Sequence, residues 1–139
     1  MPSIDIPFAK HVGIEKKEEG TLMLVETEVV QNHIQTIHGA AQFALAETQS
    51  GLYLRSLFPE YAEEVIPLLR SSSVKYKHPA TKEIVAIATV DDESKEKFEA
   101  QFLKKGRASI TIAVELRDSN DVVTMMGEFT WFVQKRNLS

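Results

Sequence analysis

The chain has 139 residues, of which 43% are hydrophobic and 26% are charged, and its formal net charge at pH 7 is −4. This length suits one domain with a single core, which we expect to span residues 1–139, and the apolar content is too high for a disordered chain. The negative charge argues against broad binding of nucleic acid, and the absence of cysteine excludes disulfides, a thiol nucleophile and thiolate zinc sites.

The sequence also bears on membranes and metals. No stretch approaches the roughly 20 apolar residues needed to cross a bilayer, and the N-terminus lacks the apolar core of a signal peptide. We therefore expect a cytoplasmic protein without membrane contact. The four histidines show no ligand spacing such as H-x-x-x-H, so we expect no metal site.

The first part of the chain predicts a short N-terminal segment followed by a β-hairpin. The segment contains Ile6, Phe8 and Ala9. Residues 11–20 predict a strand, and residues 21–30 begin with the alternation typical of a long strand with one buried face. A glycine at position 20 favours a tight turn between these strands.

One long helix and four further strands are predicted after the hairpin. The stretch from Gly39 to about Leu54 is rich in alanine and leucine and lacks proline, which predicts a helix of about four turns. Residues 92–106 predict either a short exposed helix or a long loop, and 118–121 predict a turn. The later strands are predicted at residues 65–78, 83–91, 107–117 and 122–133. This pattern indicates an α+β domain in which about six antiparallel strands wrap around the helix.

A single acidic residue, Glu47, lies in this otherwise nearly uncharged helix. At about 100° per residue, it projects from a face of small side chains that leaves a slot along the helix. Gln42 and Gln49 lie on the opposite side, which we expect to be the wetter one. Burial of an unpaired carboxylate costs several kcal/mol, so Glu47 is either partly exposed, paired with a lysine or arginine, or present for chemistry. The small residues of its face are Ala40, Ala44 and Gly51.

The start of the same helix has the features of an anion site. The sequence His38-Gly39-Ala40 opens the helix, where free backbone N–H groups and the positive end of the dipole favour negative charge. Such a helix start is suited to act as an oxyanion hole for a thioester or another carbonyl. Glu47 lies about 12 Å further along the axis, and a side chain of this length could act on a water or a substrate carbon beside this hole, especially if a second subunit completes the site.

The spacing of these residues resembles that of hotdog-fold acyl-CoA thioesterases, specifically the phenylacetate-pathway type and its relatives. Asn32 is followed by five residues, then His38-Gly39-Ala40, and Glu47 stands nine positions after the histidine. The resemblance implies a hotdog fold and hydrolysis of an acyl-CoA or acyl-carrier-protein thioester to a free acid and a thiol. It also implies a homodimer with shared active sites, possibly a tetramer, and no cofactor, since coenzyme A is part of the substrate.

The resemblance assigns catalytic roles to four residues. The N–H of Gly39 or Ala40 would polarise the thioester carbonyl, and Asn32 would position that carbonyl or the attacking water. Glu47 would act as a general base, or as a nucleophile that forms a mixed anhydride.

Substrate-binding roles are expected for four more residues. His38 would shape the loop at the helix start. Ser71 is expected on the same strand face as Leu69, near the position where one branch of the family has a serine. Lys105 and Arg107, in the concentrated basic stretch 104–107, are candidates for binding the phosphates of coenzyme A.

Three departures from the family pattern motivate an alternative function. Ala40 replaces a second glycine, Gln35 stands where a glycine is frequent, and Gly51 lacks a hydroxyl that one branch uses. These changes leave open a non-catalytic hotdog protein that binds an acyl ligand. A hotdog dehydratase is a weaker alternative, because the arrangement of acid and histidine that those enzymes use is not apparent.

Overall fold

A computed structural model of the chain describes residues 5–136, which form three α-helices and one sheet of six strands. The helices are α1 (Pro7–Val12), α2 (Gly39–Ser56) and α3 (Asp92–Lys105). The strands are β1 (Ile14–Glu18), β2 (Thr21–Val25), β3 (Val65–Tyr76), β4 (Glu83–Thr89), β5 (Arg107–Asp118) and β6 (Val123–Lys135).

The strands lie in the order β1-β2-β4-β5-β6-β3, and each neighbouring pair is antiparallel. Helix α2 packs across β2, β4, β5 and β6. Its buried residues meet the inward side chains of the sheet, so that Leu45, Leu54, Ile112 and Phe129 are all 0% exposed. The predicted α+β architecture is therefore confirmed, and β1 and β3 form the two edges of the sheet.

The N-terminal hairpin is shorter than the sequence predicts. The prediction of a strand from residue 11 is wrong, because His11 and Val12 belong to α1, which begins at Pro7 and ends at Gly13 with φ +95°. A proline in the first turn and a left-handed glycine at the end are favourable helix boundaries. The second strand ends at Val25 rather than at residue 30, since the chain leaves the sheet through a 3-10 turn at Glu28–Val30 to reach α2.

Residues 92–106, for which the sequence predicts either a short helix or a long loop, form the helix α3 and its C-terminal cap. The carboxylate of Asp91 accepts a hydrogen bond from Ser94 N at 2.7 Å, and Gly106 ends the helix with φ +73°. Both are standard capping arrangements. Phe98 and Phe102 are the buried residues of α3, which packs against β5.

A β-bulge in β3 decides which of its side chains face α2. Leu69 pairs with Trp131 and Ser71 pairs with Thr130, so Arg70 is the additional residue. From Ser71 onward, each side chain of β3 therefore points to the opposite face from the one that regular alternation predicts.

No helix within residues 5–136 has the length and apolar character needed to cross a bilayer. In the same part of the chain, no three histidine, aspartate or glutamate side chains come together as metal ligands.

Candidate functional site

The start of α2 is capped by the side chain of His38. Its Nδ1 accepts a hydrogen bond from Ala40 N at 2.9 Å, and its carbonyl accepts from Ala41 N and Gln42 N. Its own N–H donates to Val30 O at 2.7 Å. His38, which was expected to shape the loop, is thus the N-cap of α2. The N–H of Ala40 is therefore already hydrogen-bonded to the His38 side chain.

Gly39 presents the free donor at this helix start. Within residues 5–136, its N–H has no hydrogen-bond partner. A Cβ at this position would lie 3.3 Å from Tyr76 Cε1, and the Tyr76 hydroxyl donates to Gly39 O at 3.3 Å. The end of β3 therefore lies beside the free N–H of Gly39.

The side chain of Asn32 organises the loop that leads into α2. Its Oδ1 accepts from Ile34 N and Thr36 N at 3.0 Å each, and its Nδ2 donates to Thr36 Oγ1 at 2.8 Å. One amide hydrogen of Asn32 is left for another acceptor. In the same loop Gln35 has φ +57°, a conformation that glycine adopts without strain, which explains why a glycine suits this position.

Glu47 is half-buried and lacks a partner in the described part of the chain. No described residue gives its carboxylate a hydrogen bond or an ion pair. Partial burial raises the pKa of Glu47 above its ordinary value of 4.5, because desolvation disfavours the charged form. Of the three explanations that the sequence left open, pairing with a lysine or arginine is not observed within residues 5–136.

The two glutamines of α2 lie on a buried side, so the prediction that they mark the wetter side is wrong. Gln42 is 4% exposed and Gln49 is 2% exposed. Gln49 accepts from Leu22 N at 2.8 Å and donates to Gly20 O at 3.0 Å, which ties the helix to the hairpin. Gln49 is therefore buried at little cost, because its hydrogen bonds are satisfied, whereas the buried Oε1 of Gln42 has no hydrogen-bond partner within residues 5–136.

Replacement of Glu47 by glutamine is expected to stabilise the protein at neutral pH. The raised pKa means that the folded state binds this proton more tightly than the unfolded chain, so wild-type stability falls as pH rises from about 4.5 through the folded-state pKa. The advantage of Glu47→Gln should be largest at neutral pH and should vanish below about pH 4.5, as measured by urea unfolding over a pH series. Glu99→Gln, on the exposed surface of α3, serves as the control. A wild type more stable than Glu47→Gln at neutral pH would show that Glu47 has a stabilising partner.

The open strip of α2 that carries Glu47 faces the inner side of β3 and β6. At the N-terminal end of the strip, Tyr76 contacts Gly39; at the other end, a Cβ on Gly51 would lie 3.4 Å from the Trp131 ring. Between these contacts, Phe43 packs on Phe129 with ring centroids 5.5 Å apart. Glu47 therefore lies on the strip of α2 between these contacts, and we call the region between this strip and the inner side of β3 and β6 the cleft.

Because of the bulge, Ser72 rather than Ser71 points towards this cleft. Ser72 pairs with the inward-facing Phe129, whereas Ser71 pairs with Thr130 on the outer face. The prediction that Ser71 shares the face of Leu69 is therefore wrong. The sequence could not reveal this, because a bulge arises from the pairing of β3 with β6.

Lys105 and Arg107 lie at the opposite end of the sheet from the helix start of the same chain. Arg107 pairs with Gln134 of β6, whereas Tyr76, which contacts Gly39, pairs with Met125. These two β6 positions are about 30 Å apart along the strand. Within one chain, the basic residues and the residues 38–40 are therefore not brought together.

Several side chains that shape the cleft have no signal in the sequence that sets them apart. Ser72 is one of three consecutive serines, and Tyr76 is one aromatic residue of a predicted strand. Ser50 and Trp131, which join α2 to β6 beside Glu47, carried no signal that distinguished them from core residues.

These features place the molecule among hotdog-fold proteins, and comparison with known proteins supports this class. A family model described as a domain of unknown function, DUF4442, matches residues 9–133. The chain belongs to the DUF4442 family. No curated protein matches its sequence.

Solved structures with the same fold are distant in sequence. A Pseudomonas aeruginosa protein described as a "probable thioesterase" is 20% identical, with a TM-score of 0.80 over 96% of this chain and 91% of that one. A Haemophilus influenzae thioesterase is 17% identical, with a TM-score of 0.74 over 95% of this chain and 85% of that one. A Bacillus halodurans protein solved with CoA is 17% identical, with a TM-score of 0.69 over the same shares, 95% and 85%. The predicted hotdog fold is confirmed.

Proposed function

We propose that this protein hydrolyses an acyl-CoA or acyl-carrier-protein thioester to a free acid and a thiol. The observation that carries the proposal is the half-buried carboxylate of Glu47, which has no partner within residues 5–136, on the face of α2 that lies opposite β3 and β6. Two structural neighbours are described as thioesterases and a third was solved with CoA, which supports the same chemistry.

In the proposed reaction, Glu47 acts as the base and Gly39 as the oxyanion donor. The thioester carbonyl oxygen accepts a hydrogen bond from the N–H of Gly39, while the Glu47 carboxylate removes a proton from a water that attacks the carbonyl carbon. The tetrahedral intermediate then releases the thiolate, which takes the proton held by Glu47 and becomes the thiol, and the acid remains. Because partial burial raises the pKa of Glu47, its conjugate base is stronger than an ordinary carboxylate. In the alternative, the Glu47 carboxylate attacks the carbonyl carbon and expels the thiolate to form a mixed anhydride, which water then hydrolyses to the acid and free Glu47.

This chemistry requires two chains. Gly39 and Glu47 are about 12 Å apart along α2, whereas both must approach within about 3 Å of one reacting group. Strand β3 is an edge strand whose residues are mostly exposed, including Leu68 at 52% and Tyr76 at 52%. We propose that two copies pair through β3 into a homodimer, so that Glu47 of one chain faces Gly39 of its partner. A further assembly into tetramers stays a prediction.

Mixing two inactive variants should restore activity if the sites are shared. Chains with Glu47→Ala and chains with Gly39→Pro, refolded together, form heterodimers in which one of the two sites keeps both wild-type groups. About half of the dimers are then mixed, so about a quarter of the wild-type rate is expected, against the background of either variant alone. A mixture no more active than its components, despite a verified dimer mass, would show that each site belongs to one chain.

The other polar groups are assigned supporting roles in the cleft. The remaining amide hydrogen of Asn32 would donate to the carbonyl or to the water, and the hydroxyl of Ser72 would orient the water near Glu47. In the dimer, Lys105 and Arg107 would bind the phosphates of a coenzyme A whose thioester lies at Gly39 of the partner chain. The start of α2 in their own chain lies about 30 Å away along β6.

Release of thiol from a panel of acyl-CoA substrates tests the proposal directly. The chain contains no cysteine, so a thiol reagent reports only the product. Turnover of at least one acyl-CoA that depends on Glu47 is the expected result. The absence of thiol release from every acyl-CoA and acyl-carrier-protein substrate would overturn the assignment.

A non-catalytic acyl-binding protein is the second candidate, and one observation favours it. The N–H of Ala40 is occupied by His38, so the helix start offers one free donor at residues 39–40. This candidate predicts that acyl-CoA raises the unfolding temperature without any release of thiol.

A further inference from the structure

A buried hydrogen-bonded pair joins α2 to β6 beside Glu47. Trp131 Nε1 donates to Ser50 Oγ at 2.8 Å, and Ser50 Oγ donates to the carbonyl oxygen of Glu47 at 2.7 Å. Ser50 is 0% exposed and Trp131 is 8% exposed. The link therefore leads from the sheet to the backbone of the residue that carries the carboxylate.

The indole of Trp131 also rests against the helix one turn after Glu47. A Cβ at Gly51 would lie 3.4 Å from Trp131 Cζ2 and 3.5 Å from Cη2. A glycine at this position thus allows the ring to approach the helix backbone closely.

The two contacts fix the rotation of α2 about its axis at the level of Glu47. A glutamate carboxylate lies roughly 6 Å from the helix axis, so a rotation of about 10° displaces it by about 1 Å. A displacement of this size at a catalytic group costs up to about 10²-fold in rate.

We propose that Ser50 and Trp131 are a positioning pair that holds the Glu47 carboxylate at the angle required for attack of water on the thioester. The inference rests on the proposed hydrolysis. Neither residue touches the substrate, and both act through the backbone of α2.

Removal of the Ser50 hydroxyl tests the pair. Ser50→Ala is expected to lower kcat by about 10–100-fold while KM stays within about twofold, because the base is misplaced but the cleft is not blocked. Trp131→Phe, which keeps an aromatic ring and loses the N–H, should lower kcat in the same way. Ser50→Thr keeps the hydroxyl and should retain kcat within about threefold of wild type.

A matched control separates positioning from loss of stability. Gln49→Ala removes a side chain that is also buried and makes two hydrogen bonds, but on the side of α2 away from the cleft. It should lower the unfolding temperature and leave kcat unchanged below that temperature. Equal losses of kcat in Gln49→Ala and Ser50→Ala would overturn the positioning role.

A double variant links the effect to Glu47. In a Glu47→Ala background, Ser50→Ala should cause no further loss of rate, because there is no carboxylate left to position. A folded Ser50→Ala with wild-type kcat, beside an impaired Glu47→Ala, would overturn this inference and leave the proposed function intact. A fully active Glu47→Ala would overturn both.

Discussion

Replacement of Glu47 by alanine is expected to lower kcat for thioester hydrolysis by about 10²–10⁴-fold, which is the usual contribution of a general base. The carboxylate is half-buried and has no partner within residues 5–136, so its removal breaks no observed ion pair or hydrogen bond. The fold should therefore survive, and the loss of rate should report chemistry alone. Release of thiol from the best acyl-CoA of the panel, at saturating concentration, measures this effect.

Two variants sharpen the interpretation of Glu47→Ala. Glu47→Asp keeps a carboxylate but retracts it by one methylene, so its rate should lie between those of wild type and Glu47→Ala. Glu99→Gln removes a carboxylate from the exposed surface of α3 and should hydrolyse at the wild-type rate. A Glu47→Ala protein that hydrolyses the whole panel as fast as wild type would disprove the role of the base.

Replacement of Gly39 by proline is expected to lower kcat by about 10²–10³-fold, the usual cost of losing one oxyanion donor. Proline lacks the backbone N–H, and Gly39 is the first residue of α2, where proline is well tolerated. The preceding residue, His38, already has the extended conformation that proline requires, with φ −59° and ψ 140°. The variant thus removes one hydrogen-bond donor with little change to the helix.

Gly39→Ala is the matched control for this variant. It keeps the N–H and adds a Cβ, which would lie 3.3 Å from Tyr76 Cε1 as the proline Cβ would. The exposed ring of Tyr76 can shift by a few tenths of an ångström, so Gly39→Ala should keep most of its activity. Equal losses in the two variants would assign the effect to contact with Tyr76 instead of the N–H.

The same variants distinguish catalysis from binding. If the protein only holds an acyl ligand, wild type should be stabilised by acyl-CoA without release of thiol, and Glu47→Ala should bind at least as well because a desolvated charge is removed. If it is a hydrolase, Glu47→Ala should still be stabilised by an intact acyl-CoA that it cannot turn over.

Local patterns in the sequence predicted most of the elements of this fold and part of its site. The span of α2, five of the six strands to within three residues at both ends, and the open face that carries Glu47 were all accessible from periodicity and composition. The capping pattern around α3 was also present in the sequence, with Asp91 before the helix and Gly106 after it. These features depend on residues that are close in the chain, so they are encoded locally.

The burial of the other faces of α2 was decided by the tertiary structure. Gln42 and Gln49 are polar and therefore predict a solvent-exposed side, but both are buried in the folded chain. The side-chain amide of Gln49 makes its hydrogen bonds with backbone groups of Gly20 and Leu22. Whether a polar side chain is buried depends on partners that are distant in sequence, and periodicity carries no information about those partners.

By itself, the sequence determined that one carboxylate stands on a helix face of small residues, and that His38, Gly39 and Ala40 open this helix. Only the tertiary structure decided that the bulge at Arg70 turns Ser72 towards the cleft, and that Trp131 donates a hydrogen bond to Ser50 beside Glu47. The physical reason is that helix periodicity fixes direction within one element. Strand register and the packing of a ring on a helix are properties of pairs of elements, and these form only when the sheet closes around α2.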